Sequence, residues 1–113
     1  MKARNLLLGA TPYEVEQALR KLGADLRSAR LRRNLTAEEA AQKIGTSRFA
    51  VADAEKGKPS TNVAVYAALL WAYGIIDRFA DLADPGKDEE GTRLSLSRTR
   101  ARTRHAGRLD NDF

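Results

Sequence analysis

The sequence predicts an all-α fold: a five-helix domain with an N-terminally extended first helix, followed by a basic C-terminal tail. Three observations point there. Apolar residues from Val15 onward recur at helical spacing. Nearly every apolar stretch is opened by a capping residue and closed by Gly or Asn. The chain has 113 residues, 42% of them hydrophobic, enough for one small core plus extensions.

Residues 1–10 read as a flexible arm in which Leu6, Leu7 and Leu8 form a docking patch. The first helix starts at Thr11-Pro12-Tyr13-Glu14, with Thr11 as cap, Pro12 at the first helical position and Glu14 closing a capping box. It runs to about Arg33 along the stripe Val15, Ala18, Leu19, Leu22, Leu26 and Ala29, and Asn34 takes the left-handed turn that ends it. Gly23 inside it costs about 1 kcal/mol of helix propensity relative to Ala.

The segment from Thr36 to Glu55 is the centre of the domain. Thr36 and Glu39 form a capping box, Ala40, Ala41 and Ile44 face inward, and Gly45 supplies a left-handed turn. Ser47 caps the next helix, in which Val51 and Ala54 face inward and Arg48, Phe49, Ala52 and Asp53 face elsewhere. Two short helices, a tight turn and a separate outward face make a helix-turn-helix. After the turn-rich connector 56–62, Asn62 caps a helix over Val63 to Tyr73 that is apolar on most faces. Gly74 breaks it, Ile75 to Ala83 forms a last short helix, and Asp84-Pro85-Gly86 stops the domain.

The expected organisation is therefore an arm and helix extension over 1–21, a helix-turn-helix domain over 22–83 and a basic, mobile tail over 84–113. In the tail Leu94, Leu96, Arg98, Arg100, Arg102 and Arg104 alternate with small residues, and that period of two would put them on one face of a strand. Arg93 to Arg108 holds six arginines and no acid, with acidic residues on both sides.

Twenty Lys and Arg oppose 15 Asp and Glu, a net charge of +5 that favours a polyanionic partner. With no cysteine, disulfides and thiolate metal sites are excluded, and a cytoplasmic protein is expected. No apolar run approaches the roughly 18 residues of a membrane span, so no membrane partner is expected. One histidine, no Gly-rich phosphate loop and scattered carboxylates offer no catalytic, metal or cofactor site, so the chain reads as a non-enzyme.

The pattern from Leu22 to about Leu82 resembles the Xre (lambda-repressor-like) DNA-binding domain. The residues that carry the likeness are Gly23, Leu26, Arg30 to Arg33, Leu35-Thr36, Glu38 to Ala41, Ile44-Gly45, Ser47, Val51, Glu55, Gly57 and Ala72 to Gly74. The run LLWAYGIIDRFADLADPGKDE and the ending RLDNDF look like HipB-like antitoxins. That resemblance implies a homodimer, a palindromic operator upstream of its own genes and a HipA-type kinase toxin held inactive. It also implies that Glu55 pairs with Arg30. Departures are Ala37 in place of the family's phosphate-binding Gln, small Ala40 and Ala54 in the core, and Phe49 and Asp53 at base-reading positions.

If the third helix enters the major groove N-terminus first, base readout falls to Arg48, Phe49, Ala52 and Asp53, with Asp53 alternatively paired to a neighbouring arginine. Phosphates at helix N-termini nominate Thr36, Ser47 and Asn62, with Lys43, Lys56 and Lys58 as charge. Trp71, Ile75, Ile76 and Phe79 have too little domain to bury them and are expected at a dimer interface. Leu94, Leu96, Arg98, Arg100, Arg102, Arg104 and Phe113 are expected to order on a partner, the toxin favoured over DNA. The competing expectation, drawn from Ala37, Phe49 and Asp53, is a protein-interaction module that keeps the fold and has given up specific DNA binding.

Overall fold

The computed structural model describes residues 5–111, which form seven α-helices and no strand. They are α1 (Leu6–Gly9), α2 (Tyr13–Arg32), α3 (Ala37–Ile44), α4 (Arg48–Glu55), α5 (Val63–Ala72), α6 (Ile76–Ala80) and α7 (Glu89–Asn111). Helices α2 to α6 are the expected five. The chain divides into two compact units, Met1–Phe79 and Ala80–Phe113.

The first unit begins differently from the expected arm. Asn5 caps one helical turn, α1, by accepting from the Leu8 N–H at 3.3 Å, and Leu6, Leu7 and Leu8 stay exposed. Thr11 does not cap α2. Its hydroxyl turns back to the Leu7 carbonyl at 2.8 Å, and Pro12 holds the cap position without a side-chain bond. The first turns of α2 lie outside the core, with Val15 and Ala18 exposed. From Leu19 onward the stripe is covered, and Leu26 is fully buried.

The local signals of the middle segment hold. Thr36 and Glu39 exchange backbone and side-chain bonds at 3.0 and 3.1 Å. Gly45 ends α3 at φ 76°, a conformation that costs glycine nothing. Asn34 takes the left-handed turn after α2 at φ 54°. Ser47 and Asn62 cap α4 and α5 by accepting from Ala50 N–H and Ala64 N–H.

The core is small and built on close approach. Leu26, Ala40, Ala41, Val51, Ala54, Tyr66, Leu69 and Tyr73 are its buried apolar members, and only Leu26, Leu69 and Val51 among them are both large and wholly enclosed. Alanines suffice because the backbones nearly touch. A Cβ on Gly23 would lie 2.6 Å from the carbonyl oxygens of Ala54 and Glu55. On the other side Gly57, at φ 70°, presses against the Leu19 carbonyl. This glycine pair lets α2 pass directly over the end of α4. Gly23 therefore serves packing, which repays its cost in helix propensity.

A buried ion pair closes the same junction. Arg30 Nε and Nη2 donate to the two Glu55 carboxylate oxygens at 2.7 and 3.0 Å, and Nη1 donates to the Leu35 carbonyl at 2.8 Å. The hydrogen bonds to Glu55 raise the Arg30 pKa, so the guanidinium stays charged at any working pH. Arg33 donates to the Tyr73 carbonyl at 2.9 Å, and its guanidinium lies 5.4 Å from the Tyr73 ring centre.

In the second unit, the tail expectation is corrected. Residues 89–111 are helical where alternation suggested a strand face. Asp84 accepts from the Gly86 N–H and sets a 3-10 turn at Pro85–Lys87. Asp88 accepts from the Gly91 N–H and opens α7, whose first turn carries Glu89 and Glu90, the charge a helix N-terminus favours. A strand of this length would leave its backbone groups unpaired, since no described segment offers a sheet to join, whereas Leu, Arg and Ala all favour helix. Leu94 and Leu96 consequently point to different sides, both exposed. Phe113 lies outside the described residues. The last helix of the domain is also shorter than expected, five residues against Ile75 to Ala83.

Candidate nucleic-acid interface

Helix α4 is held by its buried side and its C-terminal end. Val51 and Ala54 are enclosed against α2, α3 and α5, and Glu55 is tied to Arg30. At its first turn Arg48 and Phe49 are exposed, Phe49 to 67%. The Arg48 guanidinium carbon lies 5.1 Å from the Phe49 ring centre. This stacking gives the arginine a preferred orientation, with its N–H edges still available, and is worth about 0.5–1 kcal/mol at an exposed site. The structure does not support packing of Phe49 into its own domain.

Ala52 and Asp53 are half-buried and less open than the first turn. Asp53 has a cation partner, but it is Lys58 rather than an arginine, with Nζ at 3.1 Å from the carboxylate. A turn at the end of α4 makes this possible, because the Lys58 N–H also bonds the Asp53 carbonyl. Tyr66 steadies the same connector from the core side, its buried hydroxyl donating to the Lys58 carbonyl at 2.9 Å. Burial raises the Tyr66 pKa, so it remains a donor.

The residues nominated for phosphate are exposed on the first unit: Thr36, Lys43, Ser47, Lys56, Lys58 and Asn62. Each cap spends an acceptor on the helix and keeps a donor. Thr36 and Ser47 retain their hydroxyl hydrogens, and Asn62, which accepts through Oδ1, retains its amide hydrogens. Lys58 divides its charge between Asp53 and solvent, leaving Lys43 and Lys56 as the cations without an ion pair among the described residues. Ala37, where the family pattern places Gln, is half-buried against the core and contributes no donor.

The four residues expected at a dimer interface divide. Trp71 is 62% exposed, while Ile75, Ile76 and Phe79 are half-buried by their own chain, which covers more of them than the sequence suggested. Val63, eight residues before Trp71, is exposed on nearly the same side of α5. This pairing at helical spacing was visible in the sequence and was missed, because α5 is apolar on every side and no stripe stands out.

No group of three or more metal-ligating side chains occurs among the described residues. No described helix is long and apolar enough to cross a membrane. Compared with known proteins, residues 21–82, more than half of the chain, match the family model described as a helix-turn-helix domain, of the Xre-like clan. No curated protein and no solved structure gives a match.

Proposed function

From the premise that this chain belongs to the helix-turn-helix domain family, which implies DNA as a partner, we propose that it is a sequence-specific, dimeric transcriptional repressor. The observation that carries this reading is the division of α4: Val51, Ala54 and Glu55 serve the fold, while Arg48 and Phe49 are exposed at the leading turn. In this fold that turn enters the major groove. Arg48 bonds guanine O6 and N7 with its forked guanidinium, and Phe49 covers a thymine methyl. Asp53, neutralised by Lys58, adds little repulsion toward phosphates. Thr36, Ser47 and Asn62 donate to phosphate oxygens, with Lys43, Lys56 and Lys58 supplying charge and fixing register. A symmetric pair joined through Trp71 and the flanks of Ile75, Ile76 and Phe79 reads a palindrome with half-sites about 34 Å apart.

The test is retardation of the upstream DNA of its own gene beside random DNA. Arg48→Ala should weaken upstream binding by about 5- to 150-fold, the equivalent of one bidentate base contact, and change random binding little. Equal affinity of the wild type for both DNAs removes the specific-repressor reading.

The finer reading is that the repressor is the antitoxin of a HipA-type kinase. Its support is the resemblance in residues 69–89 and 108–113. Co-expression with the kinase encoded beside it should yield a stable complex and an inactive kinase; no complex at micromolar concentration would leave a repressor without a toxin. A second reading, a protein-interaction module without specific DNA binding, draws on the exposed Phe49 and the missing donor at Ala37. It requires Phe49→Ala to abolish partner capture while the wild type shows no preference for upstream DNA.

A further inference from the structure

The positive charge of α7 is unpaired and lies on two sides of the helix. Arg93, Arg98, Arg100, Arg102 and Arg104 are exposed, and none makes an ion pair among the described residues. No acid occurs between Glu90 and Asp110. At 3.6 residues per turn, Arg93, Arg100 and Arg104 share an arc of about 40°, and Arg98 and Arg102 share another of about 40°. The two rows lie about 160° apart around the axis. The flank between them is narrow: Thr99 and Thr103 each fold back to donate to the carbonyl four residues earlier at 3.0 Å.

A protein partner would find little to hold here. Leu94 and Leu96 point about 160° apart, so they make no apolar seam. Protein interfaces are organised around a charge-depleted, apolar centre with a few anchors. Duplex DNA asks for the opposite. Its major groove is about 12 Å wide and walled by phosphates on both sides, and a helix with its side chains is about 10–12 Å across.

We propose that α7 is a second DNA-contacting element, a phosphate clamp that lies in the major groove with one arginine row on each wall. Arg93 to Arg104 span about 17 Å of helix axis, and duplex DNA carries one phosphate charge per about 1.7 Å, so every arginine has a phosphate within its reach. The contacts are sequence-independent and add affinity to any site that α4 selects. This inference rests on the DNA-binding reading above, and it replaces the expectation that the tail orders on the toxin.

The test uses the full chain with Arg98, Arg100, Arg102 and Arg104 all replaced by Gln, a good helix former, with circular dichroism to verify that helix content is kept. A second variant carries Lys at the same four positions. If three phosphate contacts per chain are lost, the fall in affinity between 50 and 200 mM salt should be shallower by about 40-fold in the Gln variant, on upstream and random DNA alike. The Lys variant should keep the wild-type slope. Wild-type binding with an unchanged slope in the Gln variant overturns the clamp and leaves the repressor standing. An unchanged slope together with lost kinase inhibition overturns it in favour of a protein partner. A wild type that retards neither DNA overturns both.

Discussion

Replacing Glu55 with alanine removes the carboxylate from the most enclosed ion pair in the protein. The two side chains are 11% and 8% exposed for Arg30 and Glu55. Arg30 would keep its bond to the Leu35 carbonyl and lose both bonds to Glu55, leaving a charged guanidinium in a site with little water. Breaking such a pair from one side costs about 3–5 kcal/mol. A unit of this size has roughly 4–12 kcal/mol of stability in total. Glu55→Ala should therefore lower the melting temperature by at least about 12 °C. Removing both charges in Arg30→Met with Glu55→Leu should cost less than the single change, because no unpaired charge remains and only the Leu35 carbonyl loses a partner. Thermal and urea unfolding of the three proteins measure this. A loss below about 1 kcal/mol for Glu55→Ala, or a double variant less stable than the single one, would refute the reasoning.

Gly23→Ala should lower the melting temperature although alanine is the better helix former by about 1 kcal/mol. Its Cβ would meet backbone oxygens at 2.6 Å that no rotamer change can move aside; a higher melting temperature would show that α2 and α4 are not in close contact. Trp71→Ser should shift the protein from dimer to monomer in sedimentation at micromolar concentration and leave its unfolding midpoint nearly unchanged, since Trp71 is 62% exposed. A wild type that sediments as a monomer at every concentration would sink the dimer proposal. Glu39 titrates below its ordinary value of 4.5, lowered first by the bond from the Thr36 N–H, so its contribution is present above pH 4.5 and lost as pH falls through the lower folded value. The stability advantage of wild type over Glu39→Gln should accordingly disappear in acid. A pH-independent difference in urea titrations would remove the ionised carboxylate from the account of the cap.

What the sequence made legible were features settled within a few residues. Thr36 with Glu39, Ser47, Asn62, Asn34 and Gly45 act on their own helix ends, so their types and spacing were enough. The Arg30–Glu55 pair spans 25 positions and was readable only through a family pattern. Gly23 looked like a local cost because its benefit depends on the end of α4 passing over it. Thr11 was misread because its hydroxyl had two helices within reach and bonded the earlier one. The tail was misread because alternation along the chain says nothing of whether a neighbouring strand exists to pair with it.

The division of labour within α4 has a consequence for how such a protein changes over time. Its anchors, Val51, Ala54 and Glu55, are not the residues exposed at its leading turn. Substitutions at exposed positions 48 and 49 fall where changes usually shift stability by less than about 0.5 kcal/mol. Target choice and foldability are thus nearly independent variables. A lineage can explore new operator sequences through Arg48 and Phe49 without passing through unfolded intermediates, whereas the alanine-and-glycine junction beneath them tolerates almost no drift.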